Sequence, residues 1–291
     1  MLFFGAGPAS RLDLTSVTRR VAVVGIDGSG KSTLVERLRM EYADTPTRLV
    51  GIHCPDFHHT PGAPLSGLSR HLHRISDLAD EIGDHDLKLL ALYLRMTLYG
   101  PVERHFVETF APALLLSDRH PVVDSLVYMP PYFRLLTGHL DAALVEPRLR
   151  TALGPVALEE VREWDRAEAL RRGDPGDFWD RTAEFLTFTD APWDILLTEF
   201  ESRYRTSLPD VVVLLEVHPQ EAVRRSKARE LGAVELHEHE VLLEMLAHTY
   251  VEVSRRLSET LGIEIHRIPT SGRSEDETLE ALRGVLVPMP A

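Results

Sequence analysis

The stretch Gly25-Ile26-Asp27-Gly28-Ser29-Gly30-Lys31-Ser32-Thr33 decides the fold of this chain. It fits the pattern G-x-x-x-x-G-K-[ST], the phosphate-binding loop. The apolar run at 21–24 predicts a buried strand before the loop, and residues 33–40 predict an amphipathic helix after it. A strand, a glycine-rich turn and a helix are the context that this motif requires, so the pattern predicts a site for nucleotide phosphates.

The residue types of the loop suit this chemistry. Its glycines can adopt positive φ and let backbone N–H groups approach an anion. The following helix points its positive end at the same place. Lys31 would reach the β- and γ-phosphates, and the Ser32 hydroxyl would ligand Mg²⁺. The residues predicted to contact the bound nucleotide are Gly25, Asp27, Gly28, Ser29, Gly30, Lys31, Ser32 and Thr33.

Composition narrows the class of protein. The chain has 291 residues, of which 44% are hydrophobic, enough for one large α/β domain. Its formal net charge of −13 argues against a nucleic-acid partner. No apolar run is long enough to span a membrane, and the N-terminus lacks the features of a secretion signal. The single cysteine, Cys54, excludes an intrachain disulfide and suits the cytoplasm, where we expect the protein to be.

Strands alternating with helices predict an α/β fold. Further strands are predicted at 49–53, 113–117, 211–215 and 263–268, the last of them nearer an edge of the sheet, and residues 86–109 have the periodicity of a helix. This alternation predicts a parallel sheet flanked by helices, of the P-loop NTPase type. We expect an N-terminal extension at 1–18 and one domain at 19–291. Residues 130–208 do not follow this alternation. They predict an insertion of two or three helical stretches before the fourth core strand, with its three tryptophans in the core of the insertion.

Further segments occur in the order found in one family of enzymes. They are the loop at 25–33, Gly62–Arg70, Leu89–Arg95, Asp118-Arg119-His120 and Leu215–Arg229. In these segments the chain resembles thymidylate kinases, P-loop nucleoside monophosphate kinases related to deoxynucleoside kinases and viral thymidine kinases. The resemblance implies transfer of the γ-phosphoryl of ATP, with Mg²⁺, to a thymidylate-like small-molecule acceptor. It also implies a homodimer.

The resemblance implies roles for several polar residues. Asp118 would hold Mg²⁺ together with Ser32, and Arg119 would bridge the phosphates of donor and acceptor. Arg70 and Arg95 would grip the acceptor phosphate. For Arg95, an ion pair to a nearby carboxylate is the alternative, because an unpaired charge in an apolar helix is costly.

Other positions leave alternatives open. Asp27 would lie near the sugar hydroxyl of the acceptor, or it would cap the N–H groups of its own loop. Asp56 would take a carboxylate role near Mg²⁺, and Tyr128 would contact the substrate. Arg225 and Arg229 would belong to a lid at 224–240 that closes over the γ-phosphoryl. A solvated basic face is the other interpretation of that run.

The chain also departs from the family. The Arg-Glu-Pro that follows the second strand in the family is missing, and residues 130–208 have no counterpart. Two alternatives therefore stand beside a monophosphate kinase: a kinase of nucleosides or of a nucleoside-like metabolite, and a nucleotide-binding regulatory protein without transfer activity. His53, Cys54, His58 and His59 match no common zinc spacing, so we predict a loop with scattered histidines there.

Overall fold

The computed structural model describes residues 18–133, 135–174, 176–229 and 240–286. Five strands form one sheet with the order β2-β3-β1-β4-β5, and all four neighbouring pairs are parallel. The strands are β1 Arg19–Val24, β2 Leu49–Ile52, β3 Leu114–Ser117, β4 Val211–Glu216 and β5 Glu264–Pro269. The predicted α/β fold is therefore confirmed, and β5 lies at an edge, as its polar pattern indicated.

Helices cover both faces of this sheet. They are α1 Lys31–Glu41, α2 Ser66–Ile82, α3 His85–Thr97, α4 Tyr99–Phe110, α5 Pro121–Phe133, α6 Ala142–Leu153, α7 Pro155–Arg171, α8 Arg181–Leu186, α9 Trp193–Tyr204, α10 Pro219–Arg229, α11 Glu240–Leu261 and α12 Glu275–Leu286. No helix in the described ranges is both long and apolar enough to cross a membrane.

The alternation of side chains along β1 explains the two layers. Val21 and Val23 face a smaller core with the apolar sides of α1 and α12. Ala22 and Val24 face a larger core that includes side chains from α2, α3, α5 and α11. Since every residue from 21 to 24 is at most 2% exposed, the strand preceding the phosphate loop is buried on both sides.

One helix that the sequence predicted is divided into two helices in the structure. Residues 86–109 were expected to form a single helix, but the chain forms α3 and α4, which meet at Leu98. Pro101 lies in the first turn of α4 and has no N–H to donate to the carbonyl of Thr97, four residues earlier. A proline fits the first turn of a helix better than a helix interior, and here the chain starts a new helix.

The predicted insertion is a set of four helices, α6 to α9, between α5 and β4. The three tryptophans pack against the large core, and Trp164 also donates a hydrogen bond of 2.8 Å to Thr97. α9 ends at Tyr204, whose ring is fully buried against Tyr93 of α3. The insertion therefore shares its core with the helices that lie beside the sheet.

Candidate active site

The phosphate loop connects β1 to α1 through backbone that favours glycine. Gly25, Gly28 and Gly30 have φ of 144°, 79° and 98°. A Cβ on Gly25 would lie 2.6 Å from the carbonyl oxygen of Leu215, and one on Gly28 would lie 2.4 Å from that of Ala222. Both positions therefore require glycine for close packing of the loop against β4 and α10, as well as for φ.

Lys31 is turned back into its own loop. Its Nζ donates hydrogen bonds of 2.8 Å to the carbonyl oxygens of Gly25 and Ile26 and lies 3.7 Å from Asp27. Burial, reinforced by the nearby Arg119 guanidinium, lowers the pKa of Lys31 to about 8. The ammonium is thus held by neutral carbonyls, a weaker set of partners than the oxygens of a phosphate.

A cleft of about 740 Å³ opens beside the loop. Ser32 and Thr33 line it from the start of α1, and α2, α3 and α5 supply most of the opposite wall. Its lining combines polar residues at the ends of β2 and β3 with apolar side chains such as Leu89, Leu92 and Met129. A partly apolar cleft with a few convergent charges is typical of a site for a small molecule.

Arg119 is the centre of one charged group in the cleft. It pairs with Asp27 across the phosphate loop, donates a 3.2 Å hydrogen bond to the Tyr128 hydroxyl and lies 3.4 Å from Asp124. Asp124 also accepts from the Tyr250 hydroxyl and from the backbone N–H of His120. Asp27, Arg119 and Tyr128, predicted from widely separated segments, are therefore brought together, and Asp27 engages Arg119 with its side chain.

Asp118 lies at the end of β3 and is almost fully buried. One carboxylate oxygen accepts from the Cys54 backbone N–H at 2.7 Å, and the other contacts His53 Nδ1 at 2.8 Å. The second ring nitrogen of His53 lies 3.0 Å from Glu36 on α1. Burial alone would lower the pKa of His53, but its contacts with Asp118 and Glu36 raise it to about 9. A protonated imidazole thus joins two carboxylates.

Arg95 lines the cleft from α3 and has an ion pair there. Its guanidinium bonds the carboxylate of Asp56 and lies 3.3 Å from the Ser76 hydroxyl and 3.4 Å from His73 Nδ1. Burial would raise the pKa of Asp56, but Arg95 and His73 hold it well below its usual range. Both alternatives for Arg95 thus have support, since it pairs with a carboxylate and also faces the cleft.

Two other predicted arginines lie elsewhere, and the side-chain position of a third, Arg229, is not described. Arg70, near the start of α2, is exposed and is absent from the lining of the cleft. Arg225 pairs with Glu221 on its own helix and donates a 2.8 Å hydrogen bond to the carbonyl of Thr270, in the loop after β5. The side chain of Arg229 and residues 230–239 of the predicted lid lie outside the described residues, as do residues 1–17 of the predicted extension.

Sequence reasoning missed several residues of the cleft. His53 was assigned only to a loop with scattered histidines and Glu36 to no role, because nothing in their spacing links a helix to the end of another strand. Ser125 and Tyr204, whose hydroxyls lie 2.7 Å apart, line the cleft together. Asp124 and Ser125 lie only a few residues after Asp118 and Arg119, and this closeness in the sequence could have identified them as residues of the cleft. Tyr204 gave no signal because it belongs to the insertion.

Comparisons with known proteins agree with the fold. No known family profile matches the sequence, and no curated protein matches it. Among solved structures, the thymidylate kinase of Candida albicans has a TM-score of 0.51 and 13% identity, over 92% of this chain and 91% of that one. A deoxyadenosine kinase from M. mycoides has a TM-score of 0.48 and 12% identity, over 93% and 100%. At 13% identity the first likeness concerns the fold alone, and the chain shares the fold of that structure.

Proposed function

We propose that the protein is an ATP-dependent phosphotransferase that moves the γ-phosphoryl of MgATP to a nucleoside monophosphate, with a thymidylate-like acceptor. One observation supports this most. Ser32 and Thr33 of the phosphate loop line the same cleft as Arg95 and Arg119. Donor phosphates and an acceptor would meet there between guanidinium groups. Phosphoryl transfer depends mainly on alignment and charge stabilisation, which such a site supplies.

The donor would bind the loop and Lys31. The ammonium of Lys31 donates to two loop carbonyls. A polyphosphate would draw it away from them, because a charge-assisted hydrogen bond to an anion is stronger than one to a neutral carbonyl. The same anion would favour the charged form of a lysine whose pKa is lowered to about 8.

Ser32 and Asp118 are the residues that would hold Mg²⁺, directly or through water. Both line the cleft, and Ser32 is exposed to it. Each oxygen of Asp118 accepts one contact from protein, and a carboxylate offers about four lone-pair sites. Asp118 therefore keeps the capacity to accept from the waters that Mg²⁺ usually retains. The ion would neutralise charge on the transferring phosphoryl group.

The acceptor would occupy the rest of the cleft. A volume of about 740 Å³ suits a nucleotide-sized molecule. Arg119 and Arg95 would bind its phosphate, and Asp27 and Tyr128 would contact its sugar. A phosphomonoester oxygen is already ionised at neutral pH, so this reaction needs no strong base.

A specific observation supports a nucleoside-like acceptor as the second candidate. Arg95 is paired with Asp56, Arg119 is paired with Asp27, and Arg70 lies outside the lining of the cleft, so each of the three arginines expected for an acceptor phosphate is engaged or remote. An acceptor hydroxyl would need a carboxylate as base, and Asp56 or Asp27 would serve.

The proposal also covers the organisation of the chain. Residues 19–291 would form one catalytic domain, with residues 130–208 as an insertion that helps to enclose the acceptor. Tyr204 of α9 at the cleft supports this part. Residues 224–240 would form the lid, with Arg225 and Arg229 closing over the γ-phosphoryl. Arg225 would first have to leave Glu221 and Thr270.

Measurement of ADP release from MgATP, with a panel of nucleosides and their monophosphates, tests the proposal. We expect monophosphates to stimulate release, and Lys31→Ala to lower kcat/KM by at least about a hundredfold, since it removes the cation on the donor phosphates. Arg37→Ala is the matched control. Arg37 is also on α1 and lines the cleft, but it pairs with Glu275 and Asp276.

The panel separates the candidates. If only unphosphorylated nucleosides stimulate ADP release, the acceptor is a nucleoside and the proposal of a monophosphate acceptor is wrong. If ATP binds but no acceptor stimulates ADP release, the chain is a nucleotide-binding protein without transfer activity.

A further inference from the structure

Three side chains with metal-binding chemistry converge beside the cleft, and we name them the Asp56–His58–His73 cluster. Asp56 and His58 follow β2, with His58 in the short 3₁₀ turn Phe57–His59, and His73 lies on α2. One ligand-type atom from each lies within 4.8 Å of the other two. All three are partly exposed, so an ion from solution could reach them.

We propose that this cluster binds a divalent transition-metal ion of the Zn²⁺ class, at a site separate from that of Mg²⁺. Two imidazoles and one carboxylate form a donor set that suits Zn²⁺ and its neighbours, with water completing the coordination. Mg²⁺ prefers oxygen ligands alone, so this donor set discriminates against it. The site does not depend on the proposed kinase activity.

The surroundings of the cluster hold its ligands in place. The Ser69 hydroxyl lies 3.0 Å from His58 Nδ1 and accepts from the His58 backbone N–H at 3.3 Å. Asp77, one turn along α2 from His73, lies 3.7 Å from the Nε2 atom of His73. The contact with Ser69 is a hydrogen bond of the kind that orients metal-binding imidazoles, whereas Asp77 lies at ion-pair distance from His73. The cluster thus has an oriented His58 ring and a His73 ring with a nearby carboxylate, on two elements that pack against each other.

Arg95 couples the cluster to the cleft. Its Nη2 bonds the Oδ1 atom of Asp56, the same atom that lies 3.0 Å from His73 Nδ1. A metal ion on Asp56 and the Arg95 guanidinium are both cations, so they compete for one carboxylate. Metal binding would therefore release Arg95 towards the cleft, and loss of the Arg95 charge would strengthen metal binding.

Titration with Co²⁺ tests the site without any turnover. The full chain, stripped of metal with a chelator and freed of any affinity tag, is followed by the visible absorption of imidazole-bound Co²⁺. The proteins compared all carry His237→Ala and His239→Ala, because these two histidines lie outside the described residues. We expect one equivalent of Co²⁺ to bind, one equivalent of Zn²⁺ to displace it, and excess Mg²⁺ to leave it bound.

Single variants on the same background assign the ligands. His58→Gln and His73→Gln should each lower Co²⁺ affinity by at least about a hundredfold. His71→Gln is the matched control, since His71 is also on α2 but lies 3.3 Å from Glu160. Arg95→Gln should raise the affinity several-fold, and an unchanged affinity would refute the competition.

Circular dichroism melts verify that each variant is folded, and the chemically similar glutamine keeps the volume of the site. Absence of the absorption band at millimolar Co²⁺ would overturn the proposal. So would His58→Gln and His73→Gln proteins that bind Co²⁺ as tightly as His71→Gln.

Discussion

At the scale of single residues, a comparison of Gly28 with Gly62 distinguishes two reasons for which a loop needs glycine, a positive φ and close packing. Gly28 and Gly62 have similar φ, 79° and 75°. A Cβ on Gly28 would lie 2.4 Å from the Ala222 carbonyl oxygen, whereas one on Gly62 would have no atom within 4 Å. A substitution at Gly62 therefore costs backbone strain alone, and one at Gly28 adds a steric clash with α10.

We expect Gly62→Ala to lower the free energy of unfolding by about 1–2 kcal/mol, the cost of a left-handed alanine. Gly28→Ala should lower it further and weaken ATP binding by at least about tenfold, since the loop must move away from α10. Urea unfolding and titration with a fluorescent ATP analogue measure the two effects. Equal ATP affinities in the two variants would show that the approach to Ala222 does not matter.

At the scale of elements, the insertion is built around a buried arginine. Arg181 begins α8 and is fully buried. Its guanidinium pairs with Asp165 of α7 through contacts of 2.9 and 3.1 Å and also contacts Asp174 and Glu184. Asp165 is buried as well, whereas Asp174 and Glu184 are half-buried, so this side chain links α7 to α8 through a buried ion pair.

Arg181→Met should lower the free energy of unfolding by about 3–5 kcal/mol, because it leaves the buried Asp165 carboxylate without its cation. Arg150→Met should cost less than about 1 kcal/mol, since Arg150 is half exposed and pairs with Glu146 on its own helix. Denaturant unfolding measures both. Similar losses in the two variants would contradict the role of Arg181.

Patterns of neighbouring residues predicted the strands and helices well, but they predicted few of the contacts between these elements. The apolar run of β1, the glycines of the loop and the alternation of strands with helices are local signals, so the fold and the phosphate loop followed from them. The break at Leu98 depends on a single proline and was missed. The insertion holds four helices where two or three were expected, because a helix as short as α8 shows little periodicity.

The sequence predicted one side of the cleft better than the other, because only one side is formed by neighbouring residues. The side predicted for ATP is one continuous segment at 25–33, whereas the other side joins α1, α3, α5 and α9. The contact of His53 with Glu36 and that of Ser125 with Tyr204 are tertiary, and neither leaves a trace in spacing. The resemblance supplied Arg95 and Arg119, and it also supplied Arg70, which lies outside the lining.

At the scale of the whole molecule, stability should depend on a histidine outside the cleft. His120 follows Arg119 and is almost fully buried, with its ring edge-on to Tyr99 at 5.1 Å. Burial, together with the nearby Arg20 charge, lowers the pKa of His120 to about 3. In the unfolded chain the same imidazole titrates near 6.5. Between these values the unfolded chain binds a proton that the folded protein does not bind.

The contribution of His120 is therefore complete above about pH 6.5 and is lost as the pH falls towards 3. In this window the free energy of unfolding should fall by up to about 1.4 kcal/mol per pH unit more in the wild type than in His120→Gln. Urea unfolding between about pH 7.5 and 5 measures the difference. His139→Gln, which removes an exposed histidine, should follow the wild type. Parallel curves for the wild type and His120→Gln would mean that folding does not change the protonation of His120.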